Sequence, residues 1–156
     1  MILVTIGTSE PFDRLLQALE ALPQDEEIVL QCGTSSAAGP SWARRVAYLS
    51  ADELAAEMRR ARVVVMHAGV GSIITALEQD RRPVVVPRLR SHGEAVDDHQ
   101  VALGRRLERL GHVRLVEDLE LLPDAVASPP LEPPPVFGDA GLVRELRDFL
   151  VAAVAP

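Results

Sequence analysis

Lysine is absent from this chain of 156 residues, so all 16 of its basic positions are arginine. That excludes the phosphate-gripping lysine of a Walker loop, Schiff-base chemistry and cofactors carried on a lysine amine. Any cationic contact to a phosphate has to come from arginine or from backbone amides. Cysteine is nearly absent too. Cys32 stands alone, so neither an internal disulfide nor a cysteine zinc site can form. Its place at the end of an apolar run reads as a buried core thiol. No apolar stretch approaches the ~20 residues that span a bilayer, and Met1 opens nothing like a signal peptide, so the expected location is cytoplasmic. Basic residues are outnumbered: the net charge of −7 argues against nucleic acid as a partner. Two further motifs are missing. Without Gly-x-Gly-x-x-Gly a nicotinamide or flavin dinucleotide is not indicated, and without a Gly-x-Ser-x-Gly elbow a serine hydrolase is a poor fit.

What is present is an ordinary globule, 47% hydrophobic and 25% charged, long enough for one domain with a sizeable core. Five apolar, β-rich runs stand out: Ile2–Ile6, Ile28–Cys32, Val46–Leu49, Val63–His67 and Val84–Val86, with a shorter sixth at Val113–Val116. The first, fourth and fifth are nearly continuous in Val, Ile and Leu, as strands covered on both faces are. Helix-period stripes alternate with them. Phe12, Leu15, Leu16, Leu19 and Leu22 form one; Leu54, Met58 and Ala61 another; Leu103, Leu107 and Leu110 a third, stopped by Gly111. The alternation predicts an α/β domain, a single Rossmann-like, doubly wound parallel sheet of about six strands over residues 1–122. Ligands bind such sheets beyond the carboxyl ends of the strands.

From Pro123 to Pro135 the chain holds six of its 12 prolines, which predicts an extended linker over residues 123–138. A last helix is expected over 139–156, with Asp139 as its cap and Leu142, Leu146, Phe149 and Leu150 on one face.

Three polar loops fall at expected strand ends. Gly7-Thr8-Ser9 reads either as a diphosphate cradle of N–H and hydroxyl donors or as a turn in which Thr8 or Ser9 caps the next helix. His67-Ala68-Gly69-Val70-Gly71-Ser72 joins a buried strand to a helix start. There Gly69 and Gly71 can take positive φ, Ser72 can cap, and the helix N-terminus is an anion site unless the loop is simply a tight turn. His67 either bonds a nearby carbonyl or reaches a ligand. Gly93-Glu94-Ala95-Val96-Asp97-Asp98-His99-Gln100 opens a further helix, as a capped solvated start or as a rigid set of groups for sugar hydroxyls. Arg88 and Arg90 either meet a diphosphate or are surface arginines. His92, Glu94, Asp98 and His99 lack a metal-ligand repeat, so no metal is indicated.

These residues carry a resemblance. Val4-Thr5-Ile6-Gly7-Thr8 with Phe12-Asp13, then His67 to Ser72, then Asp98-His99-Gln100, resemble the C-terminal half of GT-B glycosyltransferases of family 28. More narrowly, they are similar to the free-standing small subunits of two-part transferases, in bacterial exopolysaccharide synthesis and in dolichol-linked GlcNAc transfer. The resemblance runs from Ile2 to about Val116. It implies a donor-binding subunit that transfers a sugar from a UDP-sugar to a lipid-linked glycan, with inversion and without a cofactor. A membrane-attached acceptor-binding partner would hold the chain at the inner face of the membrane. It implies donor contacts from Gly7, Thr8, Ser9, Gly69, Val70, Gly71, Ser72, Arg88, Glu94, Asp98 and Gln100. Where many members carry a ribose-binding glutamate this chain has Thr75, with Glu94 as the compensating carboxylate. The base would come from the partner, with His67 or His99 as the fallback. The alternatives are a non-catalytic nucleotide-sugar-binding partner, or another UDP-GlcNAc-utilising GT-B enzyme.

Overall fold

The computed structural model describes residues 1–130. Six parallel strands form one sheet: β1 (Ile2–Thr5), β2 (Ile28–Gln31), β3 (Arg44–Val46), β4 (Val63–His67), β5 (Val84–Val86) and β6 (Arg114–Leu115). Their order is β3-β2-β1-β4-β5-β6. Five α-helices accompany them: α1 (Asp13–Ala18), α2 (Ala51–Arg60), α3 (Val70–Glu78), α4 (His99–Arg109) and α5 (Leu122–Ala127). This is the doubly wound α/β architecture that the alternating pattern predicts.

The side-chain alternation of a strand sorts the core into two layers. Ile2 and Val4 of β1, Val63 and Val65 of β4, and Val84 and Val86 of β5 pack with Leu15 and Leu16 of α1 and Leu122 and Val126 of α5. Leu3, Val64, Met66 and Val85 point the other way, onto Met58 of α2, Ile73 and Leu77 of α3, and Leu103 and Leu107 of α4. Burial on both faces explains why β1, β4 and β5 read as unbroken apolar runs.

Two expectations are corrected. The third strand lies at Arg44–Val46 rather than Val46–Leu49. It is an edge strand, paired only with β2, so Arg44 and Arg45 stay exposed and its hydrophobicity does not mark it. Likewise, the segment expected to run extended from Pro123 begins as helix α5. Pro123 sits in the first turn, where a missing N–H costs nothing, and Leu122, Ala125 and Val126 are buried. The remainder of the expected linker from residue 131, and the expected helix over 139–156, lie outside the described residues.

Helix ends follow local chemistry. Ser50 and Glu53 form a reciprocal capping box on α2. Gly111 ends α4 in the left-handed conformation, its N–H donating to Glu108 O at 2.9 Å and that of His112 to Leu107 O at 3.0 Å. Asp80 does the same job after α3 at φ +54, with the N–H of Arg81 on Ala76 O. Beyond β1 the chain turns to α1 on one layer, and beyond β4 to α3 on the other. The crevice that this reversal opens is where the polar loops gather.

Candidate functional site

The loop after β1 is shaped by Gly7, whose φ of +79 is open to glycine and strained for other residues. Helix α1 starts only at Asp13, and the N–H of its cap residue Phe12 donates to Ser35 Oγ at 2.7 Å. Thr8 and Ser9 therefore cap nothing, and both are exposed. The position of the helix excludes the expected capping role for these hydroxyls.

His67 closes β4 beneath this loop. A Cβ on Gly7 would lie 3.0 Å from its Cε1, and one on Gly69 would overlap its Nε2 and lie 2.8 Å from its Cδ2. Gly69 has φ −85 and Gly71 lies within α3, so neither uses the positive φ that the sequence allows. Gly69 is there for room beside the imidazole instead. Burial, then the charge of Arg88, push the His67 pKa down to about 4, against a weak opposing pull from the Thr5 main chain. Its Nδ1 is buried with no hydrogen bond of normal geometry among the described residues. The ring is neutral at physiological pH, which suits a donor or acceptor but makes a weak base. Ser72 does not cap either. Helix α3 begins at Val70 with Gly69 as its cap residue and no side-chain cap, so its first-turn N–H groups are left to solvent or a ligand. Thr75 spends its hydroxyl on Gly71 O at 3.0 Å, one turn back.

The third loop is dominated by Arg88, only 5% exposed. Its guanidinium donates to the carbonyl oxygens of Ile6 (2.8 Å), Glu10 (2.7 Å) and Pro11, and lies 4.7 Å from the Phe12 ring centroid. The side chain expected to meet a diphosphate thus laces down the loop after β1. Desolvation lowers its pKa, partly offset by Glu94 and Glu10. The Arg88 N–H donates to Gln100 Oε1 at 3.0 Å. An N–H partner requires the amide oxygen there, which leaves the Gln100 amide nitrogen as the donor end. Glu94 is equally committed. Arg14 grips it in a bidentate pair at 2.8 and 2.9 Å, and the Leu89 N–H adds a third bond at 3.0 Å. Asp98 accepts from the Arg90 N–H at 2.9 Å, and Asp97 binds both the N–H and Nδ1 of His99. That backbone bond, ahead of the ring contact, lowers the Asp97 pKa.

Together these loops wall a cleft of about 460 Å³ over the ends of β1 and β4. The wall takes in Gly7, Thr8, Ser9, His67, Arg88, Glu94, His99 and Gln100 of the expected site. Gly69, Val70, Gly71, Ser72 and Thr75 are not in it, their segment meeting the cleft through His67, and Asp98 is absent from it too although its neighbours Val96 and His99 line it. Glu10 and Val96 also line it and were not expected. An exposed glutamate next to a helix carries no sequence signal, and Val96, 86% exposed, contradicts its own hydrophobicity.

An open parallel sheet in this strand order defines a doubly wound α/β domain, with a polar cleft at the topological switch point, where such sheets bind ligands. The chain belongs to the glycosyltransferase family 28 C-terminal domain family, whose model matches residues 1–128. It is similar to the UDP-N-acetylglucosamine transferase subunit ALG13 of Yarrowia lipolytica, 38% identical over 69 residues, or 44% of this chain and 33% of that protein. The ALG13 subunit of Homo sapiens is 28% identical over 125 residues, 72% of this chain and 10% of that protein. The chain thus spans about a third or less of the curated relatives that it matches. Among solved structures, the glycosyltransferase SnogD from Streptomyces nogalater matches with a TM-score of 0.58 at 24% identity, covering 99% of this chain and 39% of that one. Acinetobacter baumannii MurG matches with a TM-score of 0.59 at 23% identity, covering 81% and 40%. These structural likenesses bear on the fold, which is that of a GT-B glycosyltransferase half.

Proposed function

We propose that this chain is the donor-binding subunit of a two-part glycosyltransferase that takes a sugar from a UDP-sugar. The observation that carries the reading is the cleft itself. It brings the Gly7-Thr8-Ser9 loop, with its exposed hydroxyls, into one wall with a Gln100 amide whose donor end is fixed by Arg88. A nucleoside diphosphate needs donors for its phosphate oxygens, and a sugar needs rigid polar groups for its hydroxyls. The first turn of α3, just beyond His67 and without a side-chain cap, keeps its N–H groups and positive dipole end available to an anion. Two curated relatives carry the name of a transferase subunit, and the described residues form one Rossmann-like unit. A companion chain that brings the acceptor fits the subunit names of those relatives.

In this reading the loop amides and hydroxyls stabilise the departing UDP, and Gln100 orients the sugar. His67 is neutral and half-buried, so it positions rather than deprotonates. The acceptor hydroxyl then gives its proton to a base on the partner, with His99, an imidazole of the cleft wall held by Asp97, as the alternative. Among the described residues no helix is long and apolar enough to cross a membrane. In this reading the partner also carries the attachment to the lipid-linked acceptor.

Calorimetric titration of the purified chain with UDP, UDP-GlcNAc, UDP-glucose, UDP-galactose and UDP-glucuronate tests this. Saturable binding that weakens in Gln100→Ala for the sugars more than for UDP supports the assignment. No binding either alone or with the acceptor subunit present would overturn it.

A further inference from the structure

We propose that Arg14, a helix residue outside the cleft wall, is a positioning residue that keeps the donor site open to an anion by holding Glu94. The inference rests on the donor-site reading above. The cleft wall contains two carboxylates, Glu10 and Glu94, and one arginine, Arg88. The Arg88 guanidinium is turned onto the carbonyls of Ile6, Glu10 and Pro11 and does not present its fork to the cleft. With no lysine in the chain, the cleft has little positive charge to spare for a diphosphate. Glu94 is the carboxylate that decides the balance. Its side chain is 9% exposed, and its two oxygens take the Arg14 Nε and Nη2 donors at 2.8 and 2.9 Å. Arg14 is itself steadied by the Pro87 carbonyl at 3.0 Å and lies 5.4 Å from the Phe12 ring centroid. The pair joins α1 to the loop after β5 and neutralises Glu94. Freed from Arg14, that carboxylate is a net negative charge within a cleft whose dimensions are comparable to the screening length at physiological salt, roughly 8 Å, and so it repels a diphosphate.

The test is UDP affinity by calorimetry on the full chain, in wild type, Arg14→Gln, Arg14→Lys and Arg14→Gln/Glu94→Gln, below the unfolding temperature of each. Arg14→Gln is expected to weaken UDP binding by about tenfold or more. Arg14→Lys, which keeps the charge and loses the fork, falls between it and wild type. The double variant removes the stranded carboxylate, while the amide oxygen introduced at position 94 still accepts from the Leu89 N–H; its affinity returns to within about fivefold of wild type. Added NaCl narrows the gap between Arg14→Gln and wild type, because screening acts on repulsion and not on a misplaced loop. Should Arg14→Gln fail to fold, the order of wild type, Arg14→Lys and the double variant still decides. A double variant as weak as or weaker than Arg14→Gln, or weaker than Arg14→Lys, overturns the inference. So does wild-type affinity in Arg14→Gln. If wild type binds no UDP, the donor-site reading fails first and takes this inference with it.

Discussion

Gly69 has no side chain because His67 occupies the space: a Cβ there would overlap the imidazole Nε2 and sit 2.8 Å from Cδ2. Two residues along, a Cβ on Gly71 would meet nothing within 4 Å. The two glycines of one loop thus answer to different demands. Gly69→Ala must swing the half-buried ring aside, and a loss of about 1–3 kcal/mol in urea unfolding is expected. Gly71→Ala lies in the first turn of α3 and is expected to be neutral or to gain up to ~1 kcal/mol. Any loss of UDP affinity in Gly71→Ala therefore reports contact with the ligand, not a damaged fold.

His67 makes stability depend on pH. Its folded pKa, about 4, lies below the usual histidine value of about 6.5, so between these values the unfolded chain binds more protons. Stability is complete above about pH 6.5 and falls as the pH drops toward 4. Roughly 2 kcal/mol is expected to go between pH 7 and pH 5. Unfolding midpoints of wild type and His67→Gln across that range check it, since the variant's curve should be flatter. Glu26 acts in a lower window. Its hydrogen bonds to Arg62 hold its pKa at about 2, so that contribution is present above about pH 4.5 and declines only below it.

Asp80 occupies a glycine's place. It closes α3 at φ +54, completing with Arg81 the same end motif that Gly111 makes after α4. A side chain in that conformation costs about 1 kcal/mol. Asp80→Gly is expected to raise the melting temperature by ~2–5 °C, read by calorimetry, without touching the cleft.

Arg88 is a brace. Arg88→Met strands three carbonyl acceptors at Ile6, Glu10 and Pro11, and about 2–4 kcal/mol of stability should be lost in chemical denaturation. If Arg88 instead gripped a phosphate, the variant would lose salt dependence in its residual UDP binding. The expected outcome is weaker binding with the salt slope of wild type.

Much of this architecture was legible in the residues. Strands β1, β4 and β5 announce themselves because burial on both faces demands unbroken Val, Ile and Leu, and Gly111 marks a helix stop because few other residues take its backbone angle cheaply. The three polar loops sit at strand ends as their order in the chain requires, since that order fixes which segments follow strands. The edge strand escapes a sequence reading because exposed arginines carry no such demand, and α5 escapes it because proline is tolerated in a first turn.

What each polar side chain does with its donors was decided only by the tertiary structure. The sequence offered Arg88 and Glu94 to a ligand. In the fold Arg88 spends its guanidinium on carbonyls that include one 82 residues away, and Glu94 pairs with Arg14, 80 residues away. Hydrophobic periodicity follows from local geometry and is written into neighbouring residues. The partner of a charged group depends on which loops the strand order brings together, and the β1–β4 switch point sets that for the whole cleft.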